Sequence, residues 1–349
     1  MQRPTMQRPV MDPTFVKELA DAKKRKRIAW LNLIWRGLKW VGRSMLTNPL
    51  VVRKPDEPFK PSFLKLFVRM SISWALFLPT LVSLTILILV IIGTHPANAP
   101  ILADPNSQGC YFDSINFTSS DGAKLSGWIV PVIDAHRVIS EKDRVLRWRR
   151  PAIVLVHDFG QSPQQMLPLV RPLHEEGMVV LDMAMRGRVN SKVSGETFGL
   201  LEAKDVEAAI NVLRGVSFVD PNKIAVAGIG TGANAALIAA SSDPAIKAIV
   251  IANPIKSCDQ MITLHVAPRK PWLKWMEPLC RRMFELYYGV DSQNLDYSRY
   301  APVLKSRPTL VFDTGDQFVL HEGTTIDQVK IFCRRHLNTQ DLPAVGSAR

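Results

Sequence analysis

Residues Lys223 to Ala240, KIAVAGIGTGANAALIAA, set glycines at alternate positions between an apolar run and an alanine-rich one. Two kinds of chemistry use glycines in this way. Gly228-x-Gly230-x-x-Ala233 matches the turn that seats a dinucleotide pyrophosphate at a helix N-terminus. Gly228-x-Gly230-x-Gly232 matches the sharp turn that presents a nucleophilic serine, with Gly230 standing in the serine's place. The first would make a redox site, the second a hydrolytic site without its attacking atom. Both need a strand, a tight turn and a helix, so the turn alone does not choose.

The other chemistry-bearing residues narrow the field. The seven histidines include no H-E-x-x-H or comparable ligand spacing, so no metal site is expected. The four cysteines, Cys110, Cys258, Cys280 and Cys333, lack C-x-x-C spacing, which argues against zinc or a dithiol redox pair. An oxidising compartment would permit a disulfide, Cys258 with Cys280 being one pairing. No cofactor is expected. The net charge of +13 invites a nucleic-acid partner until its location is read. Residues 1–69 hold 16 Lys and Arg against 5 Asp and Glu, whereas the remainder holds 28 against 26. The basic excess belongs to the leader. With no zinc-ligand spacing and no basic-aromatic ribonucleoprotein pattern, nucleic-acid binding is excluded.

The elements around the turn decide between its readings. CYFDSINFTSSDGAKLSGWIVPV, from Cys110, reads as two strands about the turn Asp121-Gly122. PAIVLVHDFG, GMVVLDMA, KIAVAG, IKAIVIANP and RPTLVFDTGD read as buried strands. Helical stretches alternate with them, among them GLLEAKDVEAAINVLRG and TTIDQVKIFCRRHLN. A hairpin followed by strand–helix units predicts an α/β fold, a mostly parallel sheet with helices on both faces. A dinucleotide turn usually follows the first strand, yet four strands precede this one. The strand after it ends in Ala252, Asn253 and Pro254, without the carboxylate that would bind a ribose. The elbow reading is preferred.

Further landmarks support it in order. DGAKLSGWIVP resembles an entry hairpin, VLVHDFGQSP a His-Gly oxyanion loop, and RGRVNS an Arg-Gly-x-Gly-x-Ser loop after the fourth strand. YAPVLKSRPTLVFDTGDQFV is similar to the approach to an acid-bearing strand. Over residues 114–338 the chain resembles the α/β-hydrolase superfamily, in particular membrane-linked serine aminopeptidase-like and acyl-hydrolase-like enzymes. The resemblance implies oxyanion-loop equivalents at His157, Asp158, Phe159 and Thr231. It maps the nucleophile to Gly230 and the acid to Asp316, with Asp313 as an alternative.

The chain departs from that pattern at several places. Gly230 has no nucleophilic atom. Thr231 should lend its backbone N–H to the oxyanion hole, and its hydroxyl is read as a helix N-terminal hydrogen bond. His321 lies too near the acid to be the base, and His336 falls at the end of the last helix, leaving it the remaining candidate. The final strand and its histidine loop are missing from the sequence pattern. Asp158 stands where glycine is usual, and a carboxylate there opposes a developing oxyanion. Ala184 and Val189 replace a usual aspartate and glycine. Nucleophile, base and oxyanion loop are altered together, which predicts a scaffold for binding or assembly. The alternative is a hydrolase of esters or peptides with an unconventional nucleophile.

The remaining segments place this domain at a membrane. Ser71 to Gly93 is apolar and free of charge, and as a helix it spans about 34 Å, enough for a hydrocarbon core of about 30 Å. Lys54, Lys60, Lys65 and Arg69 precede it, and the next basic residue is Lys124, which predicts a cytoplasmic N-terminus and an extracytoplasmic C-terminal domain. Upstream, Leu31, Ile34, Leu38 and Val41 recur at helical spacing among Trp30, Trp35 and Trp40, beside a basic cluster. That pattern predicts an interfacial helix on anionic inner-leaflet lipids. The expected organisation is a leader over 1–70, a span over 71–93, a linker over 94–109, the domain over 110–338 and a tail over 339–349. An insertion at about 255–300 would form a cap. There Trp272, Trp275, Leu279, Met283 and Leu286 approximate one helical face interrupted by Pro278, read as covering the strand ends, or else as a surface for a protein partner, a small acyl ligand or a second membrane contact.

Overall fold

The computed structural model describes residues 63–97, 99–132, 149–187, 195–267, 271–313 and 323–337. The expected interfacial helix, His321 and Asp316 lie outside the described residues. Two bodies are distinguished, Met1–Val82 and Ser83–Arg349. The described part of the first is helical throughout.

Helix α1 runs over Phe63–Thr94 with Pro79 inside it. Its Met70–Thr94 portion has a mean hydropathy of 2.8 and is the one helix among the described residues long and apolar enough to cross a membrane. The helix starts before the expected span at Ser71, because no breaker stands between Phe63 and the apolar run.

In the second body, β1 (Asp113–Thr118) and β2 (Lys124–Val130) form the expected hairpin. There follow β3 (Arg150–Val156), α2 (Leu167–Glu175), β4 (Val179–Ala184), α3 (Glu202–Gly215), β5 (Val219–Ile229), α4 (Thr231–Ser242) and β6 (Ile246–Ala252). The cap contains α5 (Glu277–Tyr288), and the chain closes with β7 (Thr309–Phe312) and α6 (Gly323–Leu337). The seven strands lie in the order β1-β2-β4-β3-β5-β6-β7. β1 to β2 and β2 to β4 are antiparallel, and the other pairs are parallel. Among the described residues no strand follows β7.

Strand periodicity sorts the core into two layers. Ile224 and Val226 of β5 face α3 and α4, packing with Val206, Ile210, Ala236 and Leu237. Ala225, Ala227 and Ile229 face α2 and α6, packing with Val170, Leu173, Val329 and Cys333. All four cysteines are free and buried, so Cys258 and Cys280 form no disulfide.

The α2 layer contains one misfit. Asp182 of β4 lies opposite Leu155 of β3 and is fully buried, and neither of its carboxyl oxygens has a hydrogen-bond partner. Burial without a hydrogen-bond partner holds this carboxyl well above the ordinary carboxylate range, which favours its neutral form. The folded pKa is raised above the unfolded value near 3.8, so stability is lost as pH rises above that value and the unfolded chain ionises. Asp182→Val removes an unsatisfied buried group and suits a strand, and we expect a gain of about 1–3 kcal/mol at pH 7. Urea unfolding at pH 4 and pH 7 checks this. The gain should shrink at pH 4, and equal gains at both would contradict the assignment.

The cap differs from its sequence pattern. Pro278 does not interrupt a helix but occupies the first turn of α5, where its missing N–H costs nothing. Cys280 and Phe284 are the buried residues of α5, and Met276 is buried just before it. Trp272, Trp275, Leu279 and Leu286 are exposed, so the expected inward face points outward.

Candidate functional site

The site forms where β5 ends. Gly230 closes the strand with φ 55° and ψ −115°, and Thr231 begins α4. This is the strained strand-to-helix turn of a nucleophile elbow, held by the Gly230 N–H donating to the Ala252 carbonyl at 2.9 Å. The flanking glycines are steric requirements of the same turn. A β-carbon on Gly228 would stand 2.7 Å from the Ala233 nitrogen, and one on Gly232 2.6 Å from the Val156 oxygen. The alternating glycines therefore report close packing of β5, α4 and β3, with no pyrophosphate needed to explain them.

The loop after β3 meets this turn. His157 is buried, and its Nε2 accepts from the Met185 N–H at 3.2 Å. Its Nδ1 lies 2.9 Å from the Asp158 carbonyl, which assigns the proton to Nδ1 and makes the ring a neutral brace between loop and β4. The loop is held further by the Asp158 N–H on Gln165 Oε1 at 2.8 Å and the Gly160 N–H on Glu196 Oε2 at 3.2 Å.

Asp158 is the centre of the arrangement. Its Oδ1 accepts from the Phe159 N–H at 2.6 Å and the Thr231 N–H at 2.9 Å. Those are the two donors expected of an oxyanion hole, which hold a substrate oxyanion at about 2.7–3.1 Å. Thr231 Oγ1 is 3.4 Å from the same oxygen, so this hydroxyl points to a side chain and not to the helix N-terminus expected from sequence. A β-carbon on Gly230 would fall on the Asp158 carboxyl group, 2.5 Å from Oδ2 and nearer still to Oδ1. One carboxyl group thus fills both the oxyanion position and the space of the nucleophile's side chain. Burial pushes the Asp158 carboxyl above its ordinary range, against the two N–H donors and the nearby His265, which favour its charged form.

An open cavity of about 470 Å³ adjoins it, lined among others by Asp158, Phe159, Gly230, Lys256, His265 and Asp313. His265 sits in a π-helical turn, Ile262–Val266, with its ring centre 4.6 Å from that of Phe159. An insertion histidine with no ligand-like spacing carries no signal in the sequence. Asp313 ends β7 as an exposed group, 3.5 Å from Lys256 Nζ. His336 is exposed on the last turn of α6, its ring 4.7 Å from that of Phe332, and is not among the cavity residues. Cys258 is a poor nucleophile, since burial pushes its thiol up to about 12. Among the described residues no group of three His, Cys, Asp or Glu is placed to hold a metal.

Arg186, just after β4, has a structural role. Arg186 is buried, donating from Nε to Asp205 Oδ2 at 3.0 Å and from Nη2 to Asp205 Oδ1 at 2.5 Å. Its Nη1 reaches Asp121 Oδ2, in the hairpin turn, at 2.8 Å. This ion-pair triad ties the hairpin to α3 below the site.

No known family model matches the chain. It is 29% identical over 141 residues to the uncharacterized protein YfhR of Escherichia coli O157:H7, covering 40% of this chain and 46% of that protein. With YfhR of strain K12 the identity is 30% over 120 residues, or 34% and 38% of the two chains. The chain thus matches less than half the length of these relatives. Among solved structures, the Pyrococcus furiosus esterase Pf2001 superposes with a TM-score of 0.52 at 18% identity, over 70% of this chain and 99% of that one. Likeness at such low identity speaks to architecture alone. Together with the strand order and the elbow turn, it shows that this chain has the α/β-hydrolase fold.

Proposed function

We propose that this is a single-pass membrane protein whose α/β-hydrolase-fold domain does not hydrolyse acyl substrates and serves binding or assembly. The observation that carries this reading is the Asp158 carboxyl, with its oxygen on both oxyanion donors and its bulk against Gly230. Hydrolysis needs those donors free for charge that develops in the transition state. Here they are already paired. The elbow also lacks a nucleophile, and among the described residues the one histidine lining the cavity, His265, comes from the insertion turn Ile262–Val266. The domain keeps a shaped, polar-floored cavity, which suits a small ligand or a partner's side chain.

An activated serine is what a fluorophosphonate probe reports. The purified chain should remain unlabelled under conditions that label an authentic serine hydrolase completely. Labelling that maps to a residue of the elbow would overturn the reading. One observation favours a second reading, a hydrolase with an unconventional nucleophile, since the Thr231 hydroxyl lies near the Asp158 carboxyl. Against it, Thr231 is 1% exposed and the facing oxygen already accepts two N–H groups.

The placement of basic residues supports a cytoplasmic N-terminus and an extracytoplasmic domain, with the basic leader on anionic lipids of the inner leaflet. Protease added outside cells with a permeable outer layer should digest the domain and spare an N-terminal tag. Protection of the domain would reverse the orientation.

A further inference from the structure

The end of α1 is clasped to the cap, and the cap carries several exposed apolar residues. The last three turns of α1 belong to the same body as the domain, and Ile86, Val90 and Thr94 form a buried stripe at four-residue spacing along them. Gly93 sits against the cap backbone, where a β-carbon would stand 2.9 Å from Val266 Cα. Thr94 Oγ1 lies 2.6 Å from the Tyr288 hydroxyl, and the Thr94 carbonyl accepts from the Glu196 N–H at 2.8 Å. The end of the helix is therefore built into the cap.

Depth follows from length. Met70–Thr94 is 25 residues, about 37 Å of helix against a hydrocarbon core of about 30 Å. Whatever packs on the last turns of a helix that crosses the bilayer lies at headgroup or outer-acyl depth. Exposed apolar residues of the cap suit that depth. Leu264 precedes His265 in the chain, Leu286 and Tyr287 precede Tyr288, and all three are exposed. Trp272 and Trp275, 73% and 55% exposed, belong to the turn Pro271–Met276 that leads into α5. Exposed apolar surface of this kind marks an interaction site, and Trp and Tyr favour the membrane–water interface. Arg281 and Arg282 on the same helix are paired with Asp259 at 3.0 Å and Glu285 at 2.9 Å.

We propose that the cap rests in the leaflet from which α1 emerges, with Leu264, Leu286, Tyr287, Trp272 and Trp275 in contact with lipid. This rests on the reading of α1 as a membrane span. The domain is then held on the bilayer surface at two points and does not swing on a tether.

Spin labels on the full chain in phosphatidylcholine vesicles test it. Leu264→Cys and Leu286→Cys report the cap, Leu84→Cys the helix, and the exposed Ser241→Cys on α4 the water phase. Relative accessibility to oxygen over a nickel chelate should be several-fold higher at 264 and 286 than at 241, approaching the value at 84. If 84 reads as lipid but 264 and 286 match 241, the cap contact is overturned while the anchor stands. If 84 also matches 241, the anchor reading fails and takes the contact with it. Shielding of 264 and 286 from both reagents would place protein on this face and overturn the proposal. Should a labelled variant not fold, tryptophan quenching by brominated lipid compares the unsubstituted chain with Trp272→Phe/Trp275→Phe. The double variant should lose part of the quenching, and unchanged quenching would overturn the contact.

Discussion

Gly230→Ser, which restores the elbow on paper, will unfold about 10 °C below the parent chain and will not hydrolyse a short p-nitrophenyl ester. The backbone contributes part of this loss, because a side chain at φ 55° and ψ −115° costs about 1–3 kcal/mol. The carboxyl group contributes more. A β-carbon at 230 overlaps Asp158, so that side chain must leave, and the Phe159 and Thr231 N–H groups lose their acceptor at about 1–3 kcal/mol each. Together the cost is roughly 3–5 kcal/mol after relaxation. The test of cause is a double-mutant cycle. Asp158→Gly with Gly230→Ser should be less destabilised than the sum of the single changes by about 1–3 kcal/mol, because the overlap is then gone. Additive losses would show that the two positions do not compete for space. Saturable activity in the single variant, lost again on His336→Ala, would make His336 a working base and contradict the site described above.

Arg186→Met is the second large loss, about 3–5 kcal/mol, because it leaves a buried carboxylate without its counter-charge. Asp205 has a fully buried side chain and receives both its guanidinium hydrogen bonds from Arg186. Without Arg186 the burial of Asp205 is unopposed, and the folded chain takes up a proton there. Burial already raises the folded Asp205 carboxyl to about 6 with Arg186 in place, and without Arg186 it rises further, so the deficit of the variant should grow as pH rises from about 6 to 8. Arg186→Met/Asp205→Leu should recover most of the loss at pH 8, since matched apolar groups replace the pair. Denaturant unfolding of the three chains at both pH values decides it. A single variant as stable as the parent at pH 8 would show the triad to be energetically idle.

The parts of this fold that depend on periodicity were legible in the sequence. Buried strands such as PAIVLV and KIAVAG announce themselves by continuous apolar runs, and their order around the glycine turn points to the sheet that the structure contains. Gly230 was legible too, because an elbow without its serine is visible as a change of one residue type. What Asp158 does was not. Sequence shows that a carboxylate replaces a glycine, and electrostatics predicts that it opposes an oxyanion. Only three-dimensional proximity shows that it occupies the hole and the nucleophile's space, joining residues 158, 159, 230 and 231 from two separate strands' ends. The cap failed for a related reason. Helical spacing identifies an apolar face on Trp272, Leu279 and Leu286 but not which side of it the core takes, and Cys280 and Phe284 took the core. His265 left no trace in the pattern at all, since its place beside Phe159 depends on a π-helical turn.

The central claim is that the Asp158 carboxyl and the missing nucleophile leave this domain without acyl-hydrolase activity. Steady-state hydrolysis of p-nitrophenyl butyrate by the purified full chain tests it most directly, run beside a heat-treated sample and the Thr231→Ala and Asp158→Ala variants. The account predicts rates that match the heat-treated sample and rise linearly with substrate in all three chains. Saturable turnover by the parent chain, abolished by Thr231→Ala or Asp158→Ala, would contradict it and identify the elbow as a working active site.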